Sequence, residues 1–240
     1  MSNTETKKEE KKELAVTFEV DGEEVKLSPS IVQNYIVGEN NGKITLPEFK
    51  FFTSLCKARG LNPFLKEVYC IKYGDKNPAQ IVVGKDAVLK RAVRNPNYDG
   101  KENGIIVQNK ETGEIIERKG TFYIKDQETL VGGWAKVYRK DWEHPTYSSV
   151  SFDEVAQRTK DGNLNSNWGG KGATMVEKVA MVRALRETFV EDLGGMYEAE
   201  EMGVDLPNET APQKQEIIQQ DEPIEVNATP VENVVNMDEI

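Results

Sequence analysis

The sequence predicts an α+β fold: a central antiparallel β-sheet with flanking helices, a long C-terminal core helix and a disordered acidic tail. Three observations carry this. Short strand-like runs separated by turn residues fill the stretch from Asn95 to about Phe152. Helical patterns lie on both sides of it, in "LPEFKFFTSLCKAR" and "ATMVEKVAMVRALRETF". After Tyr197 there are no aromatic residues, and acids dominate. The expected organisation is a disordered segment 1–14, one folded domain 15–203, and an acidic tail 204–240.

Residues 1–14 alternate Lys and Glu with few apolar groups. "LAVTFEVDGEEVKLS" then reads as a hairpin turning at Asp21-Gly22. A short helix, "PSIVQNYIV", follows Ser28. Thr45 and Glu48 form a capping-box pattern with Pro47 in the first turn and Gly60 past the end, and Phe49, Phe52, Leu55 and Cys56 share the inner face of that helix. "KEVYCIKY" and "QIVVG" read as strands, and a helix runs from about Asp86 to Arg94. Within the strand-rich middle, one strand covers Asn103 to Gln108 before the turn "NKETGE". Later elements are a short helix from Asp153 to Arg158, a polar Gly- and Asn-rich loop from Thr159 to Gly172, and the long helix from about Ala173 to Phe189.

Charge is unevenly placed. The chain carries a net −10, yet residues 1–80 are neutral, residues 81–190 are +3 and residues 191–240 are −13. An acidic tail beside a mildly basic folded part fits a chain with a polyanion partner. Two isolated cysteines, Cys56 and Cys70, and one histidine, His144, are too few for a zinc site, and His144 reads as a surface turn residue before Pro145. The polar start and the lack of any membrane-length apolar run point to a cytoplasmic protein with reduced thiols. "GGKG" at 169–172 is no phosphate loop: Asn165 stands where the first glycine is needed, and Gly172 stands where the hydroxyl is needed.

Cations recur on and just before the long helix. Lys171, Lys178, Arg183 and Arg186 fall within an arc of about 140° on a helical wheel, shared with valines, so long basic side chains reach out from the edges of a core helix. Lys85, Lys90, Arg91 and Arg94 cluster around an earlier helix. Lys136, Tyr138 and Lys140 share a strand face. With Tyr98, Trp134, Trp142 and Trp168 interleaved, the pattern suits a single-stranded nucleic acid.

Four spaced segments, "CKARGLNPFLKEVYCIKY", "QIVVGKDAVLKRAVRNPNYDG", "GGWAKVYRKDWEHP" and "KGATMVEKVAMVRALRETF", resemble in order the RecT/Bet family of phage single-strand annealing proteins, from about Leu46 to Tyr197. The resemblance implies a non-enzymatic DNA-binding protein of recombination. Such a protein binds single-stranded DNA and its annealed duplex intermediate without ATP or another cofactor. It works as a homo-oligomeric ring or helical filament, beside an exonuclease and a host single-strand-binding protein. It also implies DNA contacts at Lys66, Lys72, Arg139, Lys140, Lys160, Lys171, Lys178, Arg183 and Arg186, with Trp168 beside the groove. Mainly backbone contacts are expected, since pairing needs free base edges.

Two rival readings remain at this level. One is a passive single-strand-binding protein. The other is a metal-dependent nuclease built on Asp99 and Glu117-Arg118-Lys119. The acidic tail is expected to be a linker and partner-docking segment. Subunit contacts are expected before Gly42.

Overall fold

Turn and cap chemistry shapes the N-terminal part of the chain, seen in a computed structural model that describes residues 14–37, 41–199 and 201–202. Apart from Leu14, the segments 1–14 and 204–240, expected to be disordered, lie outside those residues. Asp21 and Gly22 take φ of 55° and 84°, the pair of left-handed residues that a tight hairpin turn requires. They join β1 (Val16–Val20) to β2 (Glu23–Leu27), with Phe18 opposite Val25. Ser28 caps α1 (Pro29–Ile31) by accepting from the Ile31 N–H at 3.3 Å. That helix continues as a wider π-helical stretch, Val32–Val37, where an ordinary helix was expected. The amide of Gln33 ties it to the following chain, accepting from the Ile44 N–H at 2.7 Å.

In α2 (Leu46–Arg59) the capping box is complete, and Gly60 closes the helix at φ 56°. Phe49, Phe52 and Cys56 are buried, while Leu55 packs at the margin of the core. A 3-10 turn at Pro63–Leu65 leads to β3 (Val68–Ile71), which pairs antiparallel with β4 (Gln80–Val83) ahead of α3 (Lys85–Arg94).

The central sheet has four antiparallel strands in the order β6-β5-β7-β8: β5 (Tyr98–Asn109), β6 (Ile115–Lys119), β7 (Glu128–Arg139) and β8 (Thr146–Ser151). β5 starts earlier than Asn103, because a bulge between Tyr98 and Lys101 lets Tyr98 still pair with Arg139. α4 (Phe152–Val155) ends before Arg158, which turns extended to form a bridge with Leu164.

The largest departure concerns the long helix. α5 (Ser166–Thr188) begins seven residues before the expected Ala173, so the Gly-Gly-Lys-Gly stretch is helical. Asn165 supplies the start by accepting from the Trp168 N–H at 2.9 Å, and burial of Trp168 holds the first turn down. The glycines show instead as a kink at Lys171 (φ −129°, ψ 30°). α5 lies across β7, β8 and β5 and also meets α3. At Gly133 in β7 a Cβ would stand 2.5 Å from the Val176 carbonyl oxygen, so only glycine permits this approach of helix to sheet. A four-residue helix, α6 (Val190–Leu193), follows. One continuous core joins the hairpin, α2, α3, the sheet and α5.

Candidate nucleic-acid interface

Because α5 packs its valines inward, its cations emerge along the flank. Lys171 is exposed, whereas Lys178, Arg183 and Arg186 are partly covered and meet acids of the segment that follows α6. Glu201 makes a two-pronged pair with Arg186, one bond being 2.6 Å, and stands 3.7 Å from Arg183. Lys178 lies 4.0 Å from the buried Glu198. The Tyr197 ring stacks 4.7 Å from the Arg186 guanidinium. Burial works against the Arg186 charge, but the Glu201 carboxylate outweighs it and the pKa is raised. Three expected contacts are thus brought together, around carboxylates that already fill an anion-shaped space.

Other expected contacts are committed elsewhere. Lys72 is only 2% exposed, and its ammonium binds both oxygens of Glu48, at 2.7 and 2.8 Å. It is an internal tie between α2 and the end of β3, with no surface to offer a strand. Arg139 has four of its five donors engaged: it donates to both oxygens of Asp141 at 2.9 Å, to Glu191 at 2.8 Å and to the Thr188 carbonyl at 2.9 Å. Its guanidinium also rests on Trp142 and Phe189, at 4.7 and 5.2 Å, and the Asp141 and Glu191 bonds raise its pKa. It locks the end of β7 to the end of α5. Trp168 is 1% exposed, edge-on to Phe152, so it is a packing residue and not a groove wall open to bases.

Lys66, Lys140 and Lys160 are exposed. Lys66 ends the 3-10 turn at φ 58°, and Lys140 donates to the Pro96 carbonyl at 3.0 Å. The ten expected positions therefore fall on separate parts of the fold, with α5 carrying the largest group. Three of the four cations around α3 are engaged within the fold: Lys90 binds Asp21 and Glu67 and Arg94 binds Asp21, clamping the β1–β2 hairpin, while Arg91 donates to the Arg59 carbonyl at the end of α2. Lys136 lies over Trp134 and Tyr147, 5.5 and 5.7 Å from their rings, and Trp134 packs with its N–H on the Arg118 carbonyl.

The sequence reading missed two features. Lys101 and Glu177 are half-buried near Lys85; burial lowers the Lys101 pKa and raises that of Glu177. The second is a cleft at the start of α5, lined in part by Phe122 and Lys125 from the segment between β6 and β7. Hydropathy gives no signal for either, because each depends on contacts between distant segments.

The nuclease arrangement is not assembled. Glu117 sits opposite Ile106, seven residues along β5 from Asp99, or about 23 Å at the rise of a strand. Glu117 accepts from the Tyr147 hydroxyl, and Lys119 pairs with Glu102. Among the described residues no group of three His, Cys, Asp or Glu side chains could hold a metal ion, and no helix is long and apolar enough to cross a membrane.

The sequence pattern of the RecT family matches residues 23–219, reaching further toward both ends than the four spaced segments did. No curated protein matches the chain. A match over most of the chain, on a mixed α+β fold whose long C-terminal helix carries the main cationic group, settles the assignment: the chain belongs to the RecT family, whose members bind single-stranded DNA, oligomerise and anneal strands in recombination.

Proposed function

We propose that the chain lays single-stranded DNA along the flank of α5 and presents its bases to a complementary strand, without ATP, as one subunit of a ring or helical filament. The observation that carries this is the line Lys171, Lys178, Arg183 and Arg186 along α5, which kinks at Lys171. Fifteen residues separate its ends, about 22 Å of helix, or about six phosphates at B-DNA spacing. Glu201 marks the anion position: a phosphate that displaced it would meet the same forked donors on Arg186. Exposed Lys66, Lys140 and Lys160 add sequence-independent attraction. Lys72 and Arg139 support the frame and stay outside the α5 path, and Trp168 packs beneath it.

The energetics need no fuel. Pairing is downhill by about 1.4 kcal/mol per base-pair step. What opposes it is repulsion between two polyanions, and a cationic flank repeated from subunit to subunit offsets that. The annealing unit is residues 15–203, the tail 204–240 serves as linker and docking segment, and an exonuclease and a host single-strand-binding protein are its working partners.

The test mixes two complementary oligonucleotides with the protein and no nucleotide. Duplex formation should accelerate; protection of the strands with slower pairing would make the protein a passive binder. Lys178→Ala and Arg186→Ala should each weaken binding to all sequences and flatten the dependence on salt by about one ion. An unchanged salt slope in both variants removes them from the path.

A further inference from the structure

The cleft at the start of α5 has a volume of about 490 Å³, within the range of ligand clefts. Its walls come from the 121–125 segment, from Phe152 at the start of α4 and from the first turns of α5. Four aromatic residues line it, Phe122, Tyr123, Phe152 and Trp168, together with Lys125 and Lys171. None of its fourteen lining residues is acidic, in a chain with 41 acids against 31 bases. Such a lining selects a flat apolar ring that carries a negative group.

Two details show that the space is more than loose packing. Gly172 is needed for the fold, since a Cβ there would stand 2.8 Å from the Phe152 ring. Gly170 is not: a Cβ there would meet nothing within 4 Å. Glycine weakens a helix, and Gly170, beside the kink at Lys171, leaves bare backbone on the cleft wall. The second detail is Trp168, 1% exposed, whose indole N–H has no acceptor among the described residues. A buried donor without a partner is uncommon, and this one belongs to a residue of the cleft wall. Phe122, 78% exposed, stands at the cleft with its ring already open to solvent.

We propose that this cleft receives one unstacked nucleotide of the single strand, with its base against Phe122, Tyr123 and Phe152 and its phosphate held by Lys125 and Lys171. The proposal rests on the reading of α5 as the path of the strand, which Lys171 shares. A base seated there is withdrawn from pairing, so the cleft holds the first strand in place while neighbouring bases stay available.

The experiment uses the full chain and fluorescence anisotropy, comparing a labelled oligo-dT with an abasic deoxyribose-phosphate strand of equal length. The parent should bind oligo-dT at least about five-fold more tightly, the effect of one stacked base. Phe122→Ala, at an exposed position that folding does not depend on, and Gly170→Leu, which fills the cleft, should each reduce that preference to less than about two-fold and leave abasic binding unchanged. A parent without the preference, or a preference that survives intact in both variants, overturns the proposal. Lys178→Ala and Arg186→Ala should weaken both strands alike. If they leave abasic binding unchanged while Phe122→Ala still abolishes the preference, the α5 path fails and the cleft stands.

Discussion

Lys72 shows how a single residue escapes a reading from sequence. It sits in "YCIKY" as an ordinary surface cation would, and only its partner, 24 positions earlier, reveals it as buried. That partner, Glu48, was legible in one role, since the capping box with Thr45 is a local pattern, but the same carboxylate also accepts from Lys72 and from the Ala79 N–H. Burial alone would push the Glu48 carboxyl up. The Lys72 ammonium and the Thr45 and Ala79 donors outweigh it and bring the pKa down from 4.5 to about 2. A carboxylate held low in the folded state contributes its stability above the unfolded value and loses it as pH falls through the folded one. Glu48→Gln should therefore be less stable than the parent at pH 7, and the gap should close between 4.5 and about 2. Denaturant titrations across that range read it; a gap still full at pH 2 would assign the loss to packing. Cys56 and Cys70 lie nearby, their thiols pushed up to about 12 chiefly by burial.

At the scale of elements, local chemistry was the readable part. Asp21-Gly22 names its turn, Thr45 and Glu48 name a helix start, and Gly60 names its end, because each signal acts within a few residues. The start of α5 was misread for the complementary reason. Three glycines weaken a helix, and what rescues it, the Asn165 cap and the burial of Trp168 against Phe152, becomes visible only in the folded chain. Lys178, Arg183 and Arg186 were correctly placed on one helix, with Lys171 expected in the turn before it, but their neutralisation by Glu198 and Glu201 was not foreseen, since those acids return from beyond α6. Glu201 holds Arg183 and Arg186, and on the proposed path it would compete with phosphate for them. Glu201→Gln should consequently tighten single-strand binding several-fold at low salt, with the advantage shrinking as salt screens both charges. Equal affinities for variant and parent at low salt would show that Glu201 does not hold those arginines back.

For the whole molecule, the order of elements and the α+β class follow from periodicity and punctuation. The convergence of side chains does not, because it depends on how sheet and helices cross. Four spaced motifs in register pointed to the family, and the family match now spans residues 23–219. The described elements end at Leu193 and the described residues at Met202, so the cationic flank and the cleft both lie upstream of the acidic tail. Removing the residues after Asp205 should leave annealing of complementary oligonucleotides in vitro unchanged, and a truncated chain that no longer anneals would place part of the machinery in the tail.

Gly133 has a mechanical consequence. At Gly133, β7 backbone rests directly on the α5 backbone at Val176, with no side chain between them at that point. At that point a shift of the strand moves the helix backbone with it, and on the proposed path Lys178, two residues further on, would move against the bound strand.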